Sequence, residues 1–141
     1  MYRWVVQRIV RRTFAQMSAG DHQAPVRMFR DDGCFRFPGS HGLGGEYSGK
    51  PAVEGWFRQA WSMFDFDFQI LDVVVSGMPW DTRVGTRFNV VVTAADGTAF
   101  ANRGMQYVRL SWGKIVEDEI YEDTETVALE VAHAEGLAVA A

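Results

Sequence analysis

The hydrophobic pattern of this chain changes period once, and that change constrains its fold more than any other feature. Before it, Val53, Trp56, Phe57, Ala60 and Phe64 recur at three- and four-residue spacing, with Trp61 widening the stripe. This predicts a helix opened by Lys50-Pro51. From about Phe66 the period drops to two. Phe66, Phe68 and Ile70 alternate with Asp67 and Gln69, and Val73-Val74-Val75 carries a strand to Ser76-Gly77. Met78 to Asp81 reads as a loop. Strands follow over Arg83 to Thr93 and Phe100 to Leu110, joined by the hairpin turn Ala95-Asp96-Gly97. Ser111-Trp112-Gly113 turns the chain again into a last strand. Helical patterns first and strand patterns last predict an α+β fold, with helices on one face of an antiparallel sheet of three or four late strands.

Upstream, Val6, Ile9, Val10, Thr13, Phe14 and Met17 form one helical stripe from about Tyr2 to Ala19, stopped at Gly20. Arg3, Arg8, Arg11 and Arg12 sit mostly off that stripe, and no acid precedes Asp21. That composition is also found in transit peptides, but the apolar stripe reads as an integral helix. Asp21 can cap a short second helix to about Phe29, with Pro25 in its first turn. Asp31-Asp32-Gly33 has turn chemistry, Cys34 to Phe37 reads as a strand ended by Pro38-Gly39, and Ser40 to Gly49 reads as a loop. Three N-terminal helices are thus expected. After Thr124 a short helix to about His133 is expected, and residues 136–141 are expected to fray. One domain accounts for residues 1–135, since no repeat or linker divides them.

The last strand, Gly113 to Thr124, is rich in carboxylates. An unpaired carboxylate is too costly to bury in an apolar core, so one face of this strand must meet water, a cation or a polar cavity. The net charge of −4 gives no general reason to expect nucleic acid as a partner. The single cysteine, Cys34, excludes an intramolecular disulfide and fits a reducing cytoplasm. No apolar run approaches the roughly 20 residues a membrane helix needs, and no membrane partner is expected. The three histidines are scattered without metal-ligand spacing, so neither metal nor cofactor is expected.

The order of elements and the residues that punctuate it resemble the nuclear transport factor 2-like superfamily, and within it the SnoaL-like family. The resemblance rests on Ala19-Gly20-Asp21, Met28 to Gly33, Phe37-Pro38-Gly39 followed by Tyr47 to Lys50, and Gly113 to Glu117 with Tyr121 to Thr124. It covers roughly residues 5 to 128. It implies a cone-shaped α+β barrel, in which a curved antiparallel sheet wraps against the helices and leaves a central pocket. Members include ketosteroid isomerases, polyketide cyclases, limonene epoxide hydrolases and non-catalytic binding domains, so function must be argued from the site.

Carried over residue by residue, the resemblance removes two chemistries. At the positions of an isomerase's base, tyrosine and second acid stand Phe37, Thr13 and Met105. An epoxide hydrolase's arginine-aspartate pair becomes Arg87 and Asn89, and an amide is no general base near neutral pH. The aspartate that a cyclase carries on its last strand falls on Ile120. Asp118, two residues earlier, shares the face of Ile120 in a period-two strand.

The strand phase implied by the resemblance turns Arg87, Asn89 and Val91 inward with Arg103, Met105 and Tyr107. It turns Phe88, Val90 and Val92 outward, where they would suit a homodimer through the sheet. Asp118, Arg87, Asn89 and Arg103 are then the candidate catalytic group, with Asp118 held ionised by an arginine. A purely structural Arg103–Asp118 salt bridge is the competing reading. His41, Phe35, Phe37, Trp61, Met105, Tyr107 and Ile120 are the candidate ligand contacts, His41 from a loop over the pocket mouth. The functional expectation is a small-molecule-binding protein for an apolar or ring-containing compound. Cofactor-independent acid/base chemistry of isomerase, cyclase or hydrolase type on a carbonyl or polyketide-like compound is one form of it. A non-catalytic binding or dimerisation domain is the other.

Overall fold

The computed structural model describes residues 1–140 as four helices and six strands. Helices α1 (Tyr2–Ser18) and α2 (Gln23–Met28) lead into strand β1 (Phe29–Phe37). Strand β2 (Gly45–Ser48) and helix α3 (Lys50–Met63) follow. Long strands β3 (Phe64–Met78), β4 (Asp81–Ala94) and β5 (Ala99–Ser111) then form a meander continued by β6 (Lys114–Glu122). Helix α4 (Thr124–Ala140) closes the chain. All strands join one curved, unclosed sheet in the order β2-β1-β6-β5-β4-β3, so the α+β class holds.

Local chemistry explains the turns. Gly97 takes φ +87° in the β4–β5 turn, where Asp96 Oδ1 accepts from Thr98 N–H at 3.0 Å. Trp112 and Gly113 take φ +50° and +77° between β5 and β6, the paired positive angles of a two-residue hairpin.

Several sequence boundaries change. The expected turn at Asp31-Asp32-Gly33 lies inside β1, where the register against β6 slips between Phe29 and Cys34. A Cβ on Gly33 would stand 2.8 Å from the Ile115 carbonyl, so this irregularity in the strand needs glycine. Part of the expected loop pairs as β2, which joins the expected early strand and the four late strands in a six-stranded sheet. The β1–β6 pairing is parallel, a non-local contact that periodicity cannot show. Helix α4 runs to Ala140 through most of the segment expected to fray, and Ala141 lies outside the described residues.

The core lies between α1, α3, α4 and the inner sheet face. Val53, Trp56, Phe57 and Ala60 of α3 are buried, and Trp56 and Phe57 meet Phe35 of β1 at ring distances of 4.6 and 5.3 Å. On β4 the inner side chains are Val84, Thr86, Phe88, Val90 and Val92. The expected phase of β4 is therefore inverted: Arg87, Asn89 and Val91 face out. On β5, Gly104, Gln106, Val108 and Leu110 face in, whereas Arg103, Met105 and Tyr107 are exposed. A shift of one residue flips every side chain of a strand. Simple alternation of Val84, Phe88, Val90 and Val92 favours the observed phase, because burying Arg87 unpaired costs far more than burying a phenyl ring. The partner strand accommodates this choice. Gly104 lies opposite Phe88, and a Cβ there would come within 2.6 Å of the Phe88 ring.

Candidate functional site

A cavity of about 230 Å³ opens between α1 and the inner faces of β5 and β6. Helix α1 contributes its stripe of Val6, Ile9, Val10, Thr13, Phe14 and Met17, and the sheet contributes Val84, Val108, Leu110, Ile115 and Ile120. Two polar side chains sit on its floor, Asp118 of β6 and Gln106 of β5.

Alternation on β6 places Asp118 inside. Past an irregularity between Ile115 and Glu117, Asp118 and Ile120 are buried, while Glu117 and Glu119 lie on the other face and share Arg36 at 3.1 and 2.7 Å. Asp118 is 1% exposed, and Gln106 Nε2 donates to its Oδ1 at 3.0 Å. The register explains the contact: Asp118 is opposite Val108, and Gln106 is the next inward residue along β5. No cation reaches Asp118 among the described residues, because Arg87 and Arg103 are on the opposite face of the sheet. The expected ionised Asp118–Arg pair is thus corrected. Burial, partly offset by the Gln106 hydrogen bond, pushes the Asp118 carboxyl up to about 7.

Tyr2 also lines the cavity, with its hydroxyl against Thr82 Oγ1 at 2.5 Å. Thr82 donates its own proton to the Met78 carbonyl at 2.7 Å, so Tyr2 must be the donor to Thr82. The Tyr2 oxygen is left only as an acceptor. A ligand oxygen in this cavity can therefore take a proton from the neutral Asp118 carboxyl or a hydrogen bond from the Gln106 amide.

A second, smaller cavity of about 30 Å³ lies farther along β6. It shares Met17, Phe57 and Ile120 with the first, so these three side chains stand between the chambers. Its wall includes Phe37, Trp56, Trp61, Phe66 and Phe68, with Glu122 of β6 and Glu130 of α4. Asn102 Nδ2 approaches Glu122 Oε1 at 3.4 Å, and Glu130 Oε1 is buried without a partner. Burial raises both carboxyls, Glu122 to about 8 with a contribution from Glu130, and Glu130 to about 7.

The remaining candidate contacts divide. Ile120 lines both chambers, and Phe37 and Trp61 line the second. Phe35 is fully buried in the α3 interface and lines neither cavity. His41 does not line the mouth. Its ring packs on Phe37 and its Nδ1 accepts from Leu43 N–H at 3.3 Å. Met105 and Tyr107 are outward. Gln106 is absent from the residues expected at the site, although it and Asn102 are the polar side chains on the inward face of β5. Glu122 is legible as the next inward position after Asp118 and Ile120, whereas Glu130 carries no local signal. No three His, Cys, Asp or Glu side chains gather as metal ligands among the described residues.

A family model described as a SnoaL-like domain matches residues 10–118. No curated protein matches the sequence. Among solved structures, a nuclear transport factor 2-like protein of unknown function from Burkholderia pseudomallei is similar at TM-score 0.76 and 19% identity. That match covers 89% of this chain and 95% of the other. A hypothetical protein with a ketosteroid isomerase-like fold from Catenulispora acidiphila, in complex with trimethylamine, matches at TM-score 0.72 and 19% identity over 88% and 92% of the two chains. TerC co-crystallised with polyporic acid matches at TM-score 0.74 and 16% identity over 89% and 96%.

Proposed function

Because this chain belongs to the SnoaL-like family, which includes polyketide cyclases and isomerases, we propose that it binds a small apolar or ring-containing molecule in the first cavity and moves a proton on it without a cofactor. One observation carries the reading: a single carboxyl, Asp118, is buried at the floor of a mostly apolar cavity, and that burial pushes it up to about 7. A group with its pKa near the working pH serves as base in one half of a reaction and acid in the other. Asp118 takes a proton from a carbon or hydroxyl beside a ligand carbonyl and returns it at a second position. Gln106 holds the carboxyl and offers its amide to the developing enolate oxygen. The apolar walls exclude water and select the ring. The ligands held by two structural relatives support small-molecule binding in this fold.

The test is a thermal-shift screen of ketone, epoxide and polyketide-like compounds, followed by turnover of the best binder with Asp118→Asn and Gln106→Leu. Loss of turnover in Asp118→Asn with binding retained is the expected result. Unchanged turnover in that variant removes Asp118 from the mechanism. A second reading, ligand binding without catalysis, is favoured by one observation: the Tyr2 hydroxyl is committed to Thr82 and offers no proton to an oxyanion. Saturable binding with no turnover of any bound compound would establish it.

We also propose a homodimer through the outer sheet face and a cytoplasmic location. In place of the expected Phe88, Val90 and Val92, the exposed face carries Val74, Val91, Met105 and Tyr121. Light scattering of Met105→Glu, expected to run as a monomer, tests that interface.

A further inference from the structure

The arginine-rich, acid-free first helix takes no part in the site chemistry, but its outer surface borders the mouth of the first cavity. Val5 and Ile9 line that cavity yet are each about two-fifths exposed, so they form its rim on one side. Opposite them stand Pro79 and Trp112, from the β3–β4 and β5–β6 turns. Trp112 is 70% exposed and Trp80, 6.1 Å from it between ring centres, is 55% exposed. Large aromatic rings are rarely left this exposed, and here they sit on two tight turns beside an apolar opening.

The flank of α1 that continues from this rim is cationic in a chain whose net charge is −4: Arg12 adjoins the rim, and Arg8 and Arg11 line a neighbouring groove with Trp4 and Gln7. Arg8, Arg11 and Arg12 are exposed on the outer side of α1, and Arg8 lies over the Trp4 ring at 5.3 Å. A groove next to the rim is lined by Ile9, Arg12, Arg27, Gly113 and Lys114, with no carboxylate in its wall. Of the acids on the adjoining segments, Asp21 pairs with Arg27 at 2.7 Å, Asp32 with Arg30, and Asp81 with Arg83 at 3.6 Å, while Asp31 and Asp72 are exposed without an ion pair among the described residues. Arg8, Arg11 and Arg12 make no ion pair among the described residues. Positive charge interleaved with exposed tryptophan is the chemistry of an anionic lipid surface, where guanidinium groups meet headgroups and indole rings settle at the interface.

We propose that this rim docks reversibly on anionic phospholipid membrane, with the mouth of the cavity turned toward the bilayer. The arrangement departs from the expectation of no membrane partner, which concerned a spanning helix; no helix here is long and apolar enough to span. Docking rests on the surface alone. Its purpose, exchange of an apolar ligand between bilayer and cavity, rests on the binding function proposed above. A membrane fits this face better than a nucleic acid or acidic protein because the cavity mouth is part of it: a lipophilic ligand concentrates where the rim would sit.

The experiment is flotation of the full chain, without added ligand, with vesicles of neutral phosphatidylcholine and with vesicles containing roughly one-third phosphatidylglycerol. The expected result is co-flotation with the anionic vesicles only, weakened by salt and accompanied by a blue shift of tryptophan emission. Each removed charge is expected to lower the partition coefficient roughly fivefold, so Arg8→Gln/Arg11→Gln/Arg12→Gln should abolish binding. Trp112→Ser, a second variant that leaves the helix untouched, should reduce the blue shift, with Trp4 and Trp80 still present, and weaken binding. Circular dichroism of each variant separates lost binding from lost folding. Absence of flotation overturns the proposal and leaves ligand binding in the cavity standing. Equal binding to RNA or heparin with no blue shift overturns it in favour of a general polyanion surface.

Discussion

Replacing Asp118 by asparagine removes the ionisable group from the cavity floor and keeps its shape and its acceptor for Gln106 Nε2. The wild-type carboxyl is carried from an ordinary 3.8 to about 7 by burial. At 1.36 kcal/mol for each tenfold change, that corresponds to about 4 kcal/mol between the two ends of the titration. The sign follows from proton uptake. Below 3.8 both folded and unfolded chains hold the proton, so the group has no net effect. Between 3.8 and about 7 only the folded chain holds it, and folding stability falls as pH rises until ionisation inside the protein is complete. The amide of the Asp118→Asn variant has no such dependence. The variant should match wild type near about pH 4 and exceed its stability by about 2 to 4 kcal/mol near about pH 8, the lower figure allowing for water entering the cavity. Urea unfolding of both proteins at a series of pH values gives the difference directly. A difference that does not change with pH, or a variant less stable than wild type at alkaline pH, would mean that Asp118 is ionised against a partner and would refute the assignment.

Three further outcomes follow from the packing. Glu130→Gln should stabilise the protein by about 2 kcal/mol near about pH 8 and much less near about pH 5, because the raised carboxyl ionises over that interval; thermal unfolding at the two pH values checks it. Gly104→Ala should destabilise by about 1 to 3 kcal/mol, since the added methyl meets the Phe88 ring and the Tyr121 backbone, and Phe88→Leu should recover part of the loss in a double-mutant cycle. Arg36→Ala should change stability by about 1 kcal/mol or less at physiological salt, because its carboxylate partners are partly open to water; urea midpoints measure it.

The fold class is legible because the change of period at Phe64–Phe66 is unambiguous and the turns carry diagnostic residues. Asp118 and Ile120 fall on one inward face because a period-two strand leaves no other choice. The expected phase of β4 and β5 fails for a specific reason. The resemblance to enzymes with polar catalytic residues on these strands outweighs alternation in that reading, although Phe88, Val90 and Val92 are the more costly set to leave in water. The expected phase supplies Asp118 with arginine partners it does not have and reverses the direction of its pKa. Glu130 and the parallel β1–β6 pairing depend on contacts far apart in sequence, which no local pattern encodes.

The parallel seam between β1 and β6 also bears on the order of assembly. Strands β3, β4 and β5 pair through short turns, so their contacts can form soon after collapse. Arg36 and Glu119, on β1 and β6, are 83 residues apart in sequence. Closing a loop of that length costs entropy before any contact compensates for it, and topologies of this kind fold slowly. Asp118 lies on the strand that joins the early meander to this late seam, and Phe35 of β1 is its register partner. The carboxyl is therefore desolvated only when the seam closes. An unfolding rate that rises with pH near about 7, with little change in the folding rate, would be the kinetic mark of that order.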